Sequence, residues 1–178
     1  MNTIIFILYL IAGIIAVILL LALFIKKGYT IEREITINKP KNEVFNYIKH
    51  LKNQDHYSKW VMIDPNLKKD FRGVDGTEGF VYAWEGNKKA GKGEQEIKGI
   101  RDGERLDVEV RFIKPFEGIA YTPFTTEAVQ PGQTKVKWGM SSRLKYPMNI
   151  MLLFMNFDKV LGRDIETSLG NLKNLLER

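Results

Sequence analysis

An uncharged run near the N-terminus limits what this chain can fold into more than any other feature. Thr3 to Ile25 reads TIIFILYLIAGIIAVILLLALFI, 23 residues without an Asp, Glu, Lys or Arg. As a helix it extends roughly 34 Å at about 1.5 Å per residue, enough to cross a hydrocarbon layer of about 30 Å. It lacks the polar face of an amphipathic core helix. It does not read as a cleaved signal peptide either. No basic residue precedes it, it exceeds the usual apolar region of such peptides, and no A-x-A-like site follows. The expectation is a membrane anchor over residues 1–27 with one spanning segment (residues 3–25), and a separate domain over residues 28–178. Lys26, Lys27, Arg33, Lys39 and Lys41 all follow the span and none precedes it. By the positive-inside rule the domain is expected in the cytoplasm. The absence of cysteine is compatible with a reducing compartment.

The net charge of +6 lies entirely outside the apolar run. Basic residues are scattered among acidic ones, and no RNA-binding or helix-turn-helix pattern accompanies them. A solvated surface beside an anionic membrane is the reading, with no nucleic-acid partner.

Periodicity orders the remainder. In TIEREITI, from Thr30, the residues Ile31, Ile35 and Ile37 share one strand face, and Arg33 interrupts it. Pro40 suits a helix start, and Val44, Phe45, Ile48 and Leu51 recur at helical spacing. A helix over 41–50 is expected, then a second short helical piece over 53–61. Strands follow at 66–71, 79–85, 92–100, 105–114, 118–129 and 134–144, joined by short Gly, Asn or Pro turns as in an antiparallel meander. Leu161, Ile165, Leu169, Leu172 and Leu176 then form one stripe of an amphipathic helix over 158–177.

From Gly86 the chain reads GNKKAGKG, one residue short of the phosphate-binding pattern G-x-x-x-x-G-K-[ST]. Such a loop needs a helix after it, so that helix N-terminal amides meet the phosphate. The segment that follows, KGEQEIKGI, alternates like a strand. The stretch is therefore expected to be a β-hairpin turn, with Lys88, Lys89 and Lys92 at a solvated tip and no nucleotide.

The order of elements, a strand, two short helices, a run of antiparallel strands and one long C-terminal helix, is that of an α+β helix-grip domain. The chain resembles the START-like (SRPBCC) superfamily, of the START/Bet v 1-like fold, in particular its polyketide cyclase/dehydrase and lipid-transport group. The residues that carry the resemblance are IEREITINKPKNEVFNYIKHLKN, YAWEGNKKAGKGEQEI, VEVRFIKPFEG and TKVKWGMS. The resemblance spans roughly residues 29–177. It implies a cavity between sheet and long helix that takes a hydrophobic or lipid-like small molecule, without a cofactor. It brings no catalytic signature. By strand alternation Tyr82, Trp84, Val108, Val110, Phe112, Trp138 and Met140 are candidates for the sheet wall, and Met151, Phe154 and Met155 for the helical side. Tyr82, Tyr121 and Arg143 are candidates to orient a polar head. The competing reading is that these side chains simply fill the core.

Little in the sequence points to catalysis. Two histidines, His50 and His56, and no cysteine give no recognisable zinc site. Glu94 and Glu96 share a strand face with Lys92 and Lys98, which reads as a solvated charged surface. Three functions stay open: a non-enzymatic binding domain, a cyclase- or hydrolase-type enzyme using the same pocket, and a closed-core protein scaffold.

Overall fold

The computed structural model describes residues 2–178. Helix α1 (Thr3–Phe24) stands out from the rest, with Ala22 its one buried residue. Apolar side chains facing outward on every side exclude it from the domain's own core. By length and composition it is able to cross a membrane.

Strand β1 (Gly28–Ile37) follows, then α2 (Lys41–Ile48). The second helical piece expected over 53–61 is two pieces, a 3-10 helix at Leu51–His56 and the single turn α3 (Lys59–Met62). Between them Tyr57 is fully buried and its carbonyl accepts from Asn171 Nδ2 at 3.1 Å, so the chain dips into the core there. Seven more strands complete the sheet: β2 (Lys68–Arg72), β3 (Val81–Glu85), β4 (Lys92–Arg101), β5 (Arg105–Lys114), β6 (Gly118–Tyr121), β7 (Phe124–Gln130) and β8 (Gln133–Arg143). All pairings are antiparallel, in the order β1-β8-β6-β5-β4-β3-β2, with β7 joining β5 and β8.

The strand expected over 118–129 is broken into β6 and β7. Pro123 has no N–H to give a ladder, and its carbonyl instead accepts from Gly139 N at 2.8 Å. Met151, Phe154 and Met155, expected on the helical side of the cavity, belong to a segment separate from the last helix. It forms a 3-10 turn (Met148–Ile150) and the short α4 (Met151–Phe154) before α5 (Phe157–Leu176) begins.

Helix α5 turns Ile165, Leu169 and Leu172 onto the sheet. They join Ile31, Ile37, Phe45, Ile97, Leu106, Phe124 and Val136 in one core. Arg33, the interruption in β1, has a structural role. It donates to the Asp158 carboxylate at 3.0 Å and to Glu166 Oε1 at 2.6 Å, which ties the first half of α5 to β1. Gly162 passes beneath the guanidinium, where a Cβ would overlap it. The outer face of the sheet is ionic: Arg111 bonds Glu94, Glu96 and Glu109 at 2.6–2.9 Å. The carboxylates Glu94 and Glu96 are thus a charged surface and not a converging acid–base pair.

Candidate ligand-binding cavity

Between the concave face of the sheet and the α3–α5 side lies a cavity of about 290 Å³. Strand alternation sends Tyr82 and Trp84 from β3, Val110 and Phe112 from β5, and Trp138 and Met140 from β8 onto its wall. These six occupy the positions expected of them. Trp138 is held on three sides, stacked with Phe124 at 4.5 Å and edge-on to Trp60 and Tyr57 at 5.5 and 6.2 Å.

The other six candidates stand elsewhere. Val108 has the same parity as Val110 but lies deeper, inside the filled core. Tyr121 pairs with Glu109 and Ser141 on the outer parity of the sheet. Tyr121 and Arg143 border a shallow groove with Gly28, Thr30 and Ser141 instead. Met151, Phe154 and Met155 sit in and after α4, turned away from the sheet, and Phe154 is 79% exposed. The 3-10 turn after Pro147 is bonded to the end of α1 through Asn149, and α4 follows that turn before α5 starts, outside the cavity wall. The helical wall comes from Leu161 of α5 with Trp60 and Val61.

The polar part of the wall was not foreseen. Gln54 and Gln95 are both buried and bond each other, Gln95 Nε2 donating to Gln54 Oε1 at 3.1 Å. Each amide has a second polar atom with no protein partner among the described residues. Whichever way the two amides are turned, three N–H bonds and one carbonyl oxygen make no bond to the protein, and both side chains belong to the cavity wall. Strand parity carried the signal: with Glu94 and Glu96 outward, Gln95 points inward. Tyr82 departs from expectation in its hydroxyl. It donates to Asp55 Oδ1 at 2.7 Å, and Asp55 in turn holds Lys69 at 2.7 Å. Burial, with the bond to Asp55, raises the phenol above its ordinary value, so Tyr82 offers the cavity its ring and keeps its proton. The titratable wall residues are Tyr29, Tyr82, Lys89 and Lys114, without a carboxylate or imidazole among them. His56 is engaged by the Tyr47 hydroxyl at 3.0 Å instead.

The mouth is formed partly by the near-match to a phosphate loop. Glu85 and Lys92 pair across β3 and β4, and residues 86–91 are the hairpin tip between them. Asn87 accepts from Lys89 N at 2.8 Å, and Asp64 accepts from Asn87 N at 2.7 Å. The Trp84 indole donates to Ala90 O at 3.1 Å and lies across Gly93. A Cβ on Gly93 would come within 2.7 Å of that ring and 2.6 Å of Arg111 O. Glycine therefore stands at the eighth position for packing, where a phosphate loop needs a hydroxyl. Of the tip lysines, Lys89 is at the rim of the cavity and not simply solvated.

No family model matches the chain, and no curated protein matches it in sequence. Solved structures do. Norcoclaurine synthase from Thalictrum flavum, in complex with dopamine and hydroxybenzaldehyde, has a TM-score of 0.63 at 8% identity, over 85% of this chain and 87% of that one. The Aha1 dimer from Colwellia psychrerythraea gives 0.58 at 15%, over 84% and 96%. Ara h 8.0201 gives 0.56 at 17%, over 82% and 93%. The chain has the Bet v 1-like helix-grip fold. The grip is asymmetric. The sheet and the α3 region build most of the wall, and α5 adds Leu161.

Proposed function

We propose that residues 28–178 form a binding domain for a hydrophobic small molecule, held at a membrane by residues 1–27. The observation that carries this reading is the cavity itself: about 290 Å³, walled by aromatic and aliphatic side chains, with the hydrogen-bonded amides of Gln54 and Gln95 in the wall. That is the usual form of a small-molecule site. It suits a ligand with an apolar body and a hydrogen-bonding end, lipid-like in character. A Bet v 1-like neighbour holds two small aromatic compounds, which supports a small-molecule occupant without identifying it. The wall's titratable groups are Tyr29, Tyr82, Lys89 and Lys114, and Tyr82 is already bonded to Asp55, which supports binding in preference to carboxylate- or imidazole-based acid–base catalysis. An open cavity also disfavours the closed-core scaffold.

The expected result is that native mass spectrometry of the detergent-extracted full chain shows a co-purifying small molecule, released on unfolding. Protein that is uniformly free of adduct, and that takes up no fatty acid or aromatic amphiphile added to it, would overturn the reading.

We further propose that α1 spans the membrane and leaves the domain in the cytoplasm, on the strength of its exposed apolar surface and the lysines that follow it. Protease added to intact cells is expected to spare the domain and to digest it once the membrane is opened. Digestion in intact cells would reverse the orientation.

A further inference from the structure

The register of the sheet places the cavity mouth beside the anchor. Gly28, just after α1, pairs with Arg143 at the end of β8. Ser142 pairs with Ala120 of β6, Gly118 with Phe112 of β5, Lys114 with Lys92 of β4, and Lys92 with Glu85 of β3. One end of the sheet therefore carries the junction with α1, the β5–β6 turn (115–117) and the hairpin tip (86–91). The cavity runs between them, from Tyr29 to Lys89, Ala90, Lys114 and Pro115.

The junction is clamped. Asn149, fully buried, donates from Nδ2 to Ala22 O at 2.6 Å and Ile25 O at 3.2 Å, satisfying carbonyls at the end of α1. The Tyr146 hydroxyl donates to Leu19 O at 3.3 Å. The 146–149 turn thus lies level with the last turns of the apolar helix. A hydrogen-bond donor is what such a helix end requires where lipid supplies none. Directly after it, α4 exposes Leu153 and Phe154, and the β5–β6 side exposes Ile113 and Phe116, the latter 64%. Lys26, Lys27, Lys68, Lys88, Lys89, Lys114, Arg143 and Lys145 surround this end. Its acidic residues are Glu117, Glu85 held by Lys92, Asp158 held by Arg33, and the buried Asp64.

Exposed apolar side chains ringed by cations, continuous with a spanning helix, fit one occupant: the interface of an anionic bilayer. We propose that α4 and the β5–β6 turn are seated in that interface, so that the cavity opens onto the membrane and exchanges its ligand with the bilayer. The proposal rests on α1 spanning the membrane and adds a second, independent contact.

The chain has no cysteine, so single cysteines can carry a nitrobenzoxadiazole fluorophore. The full chain is reconstituted into phosphatidylcholine–phosphatidylglycerol vesicles containing a shallow doxyl-lipid quencher. Labels replace Phe116, Phe154, Ala12 in α1, or Val129 near the far end of the sheet. Quenching at 116 and 154 several-fold above that at 129, and reduced by Lys89→Glu with Lys114→Glu, is the expected result. If a deep-chain quencher reaches position 12 while 116 and 154 behave like 129, the anchor stands and the interfacial contact is refuted. Should position 12 itself escape both quenchers, the anchor reading falls and the proposal with it. Equal quenching at all four sites would also overturn it, because the domain would then have no preferred face toward the lipid.

Discussion

Replacing Trp138 by alanine is expected to cost the domain about 3–5 kcal/mol, the range for truncating a buried aromatic side chain. Trp138 is 3% exposed, stacks on Phe124 at 4.5 Å, and meets Trp60 and Tyr57 edge-on. Its loss opens a hole that joins the existing cavity, so neighbouring rings have room to tilt but nothing to pack against. Chemical denaturation of residues 28–178 checks the magnitude. Trp138→Phe is expected to cost less than half as much. The ring stack is kept, and the Nε1–H that it removes is buried with no partner among the described residues. An alanine variant within about 1 kcal/mol of the parent would mean that Trp138 is not the packed centre described here.

A tryptophan at Leu161 is expected to weaken binding of a neutral apolar fluorophore such as N-phenylnaphthylamine by at least about tenfold, a loss of about 1.4 kcal/mol. Leu161 is the one cavity residue from α5 and is only partly buried. A larger ring there projects into open volume and forces little overpacking of the core. Residues 28–178 hold every wall residue, so that fragment serves, read by quenching of tryptophan emission. Met151→Trp is the matched control. Met151 is outside the cavity wall, so this variant is expected to bind like the parent. Equal loss in both variants would show that the probe sits near α4 and not in the cavity. Unchanged binding in Leu161→Trp would remove the cavity as its site.

The strongest signals in the sequence were those set by a short stretch of chain. Strand β5 was legible to the residue, because Leu106, Val108 and Val110 alternate with Asp107, Glu109 and Arg111 along the strand. The hairpin at 86–91 was legible because Gly, Asn and an alternating segment after it exclude a helix. The break at Pro123 is also written in the chain: a residue without an N–H interrupts a ladder wherever it lies inside one. Gln95 was available in the same way, from the outward charges on either side of it.

The sequence by itself determined the apolar helix, the order of the elements and the face each strand residue takes, since these follow from charge, backbone chemistry and a two-residue repeat. The tertiary structure alone decided depth along those faces. Val108 and Val110 have the same parity, yet one is sealed in the core and the other lines the cavity. It also decided what covers each apolar run. Met151, Phe154 and Met155 are as apolar as any core segment, but the bond from Asn149 to Ala22 ties the turn before them to α1, and Phe154 and Met155 are left exposed outside the cavity. Hydropathy records that a side chain is costly to leave in water. Which surface takes it out of water is decided by residues far away in the chain.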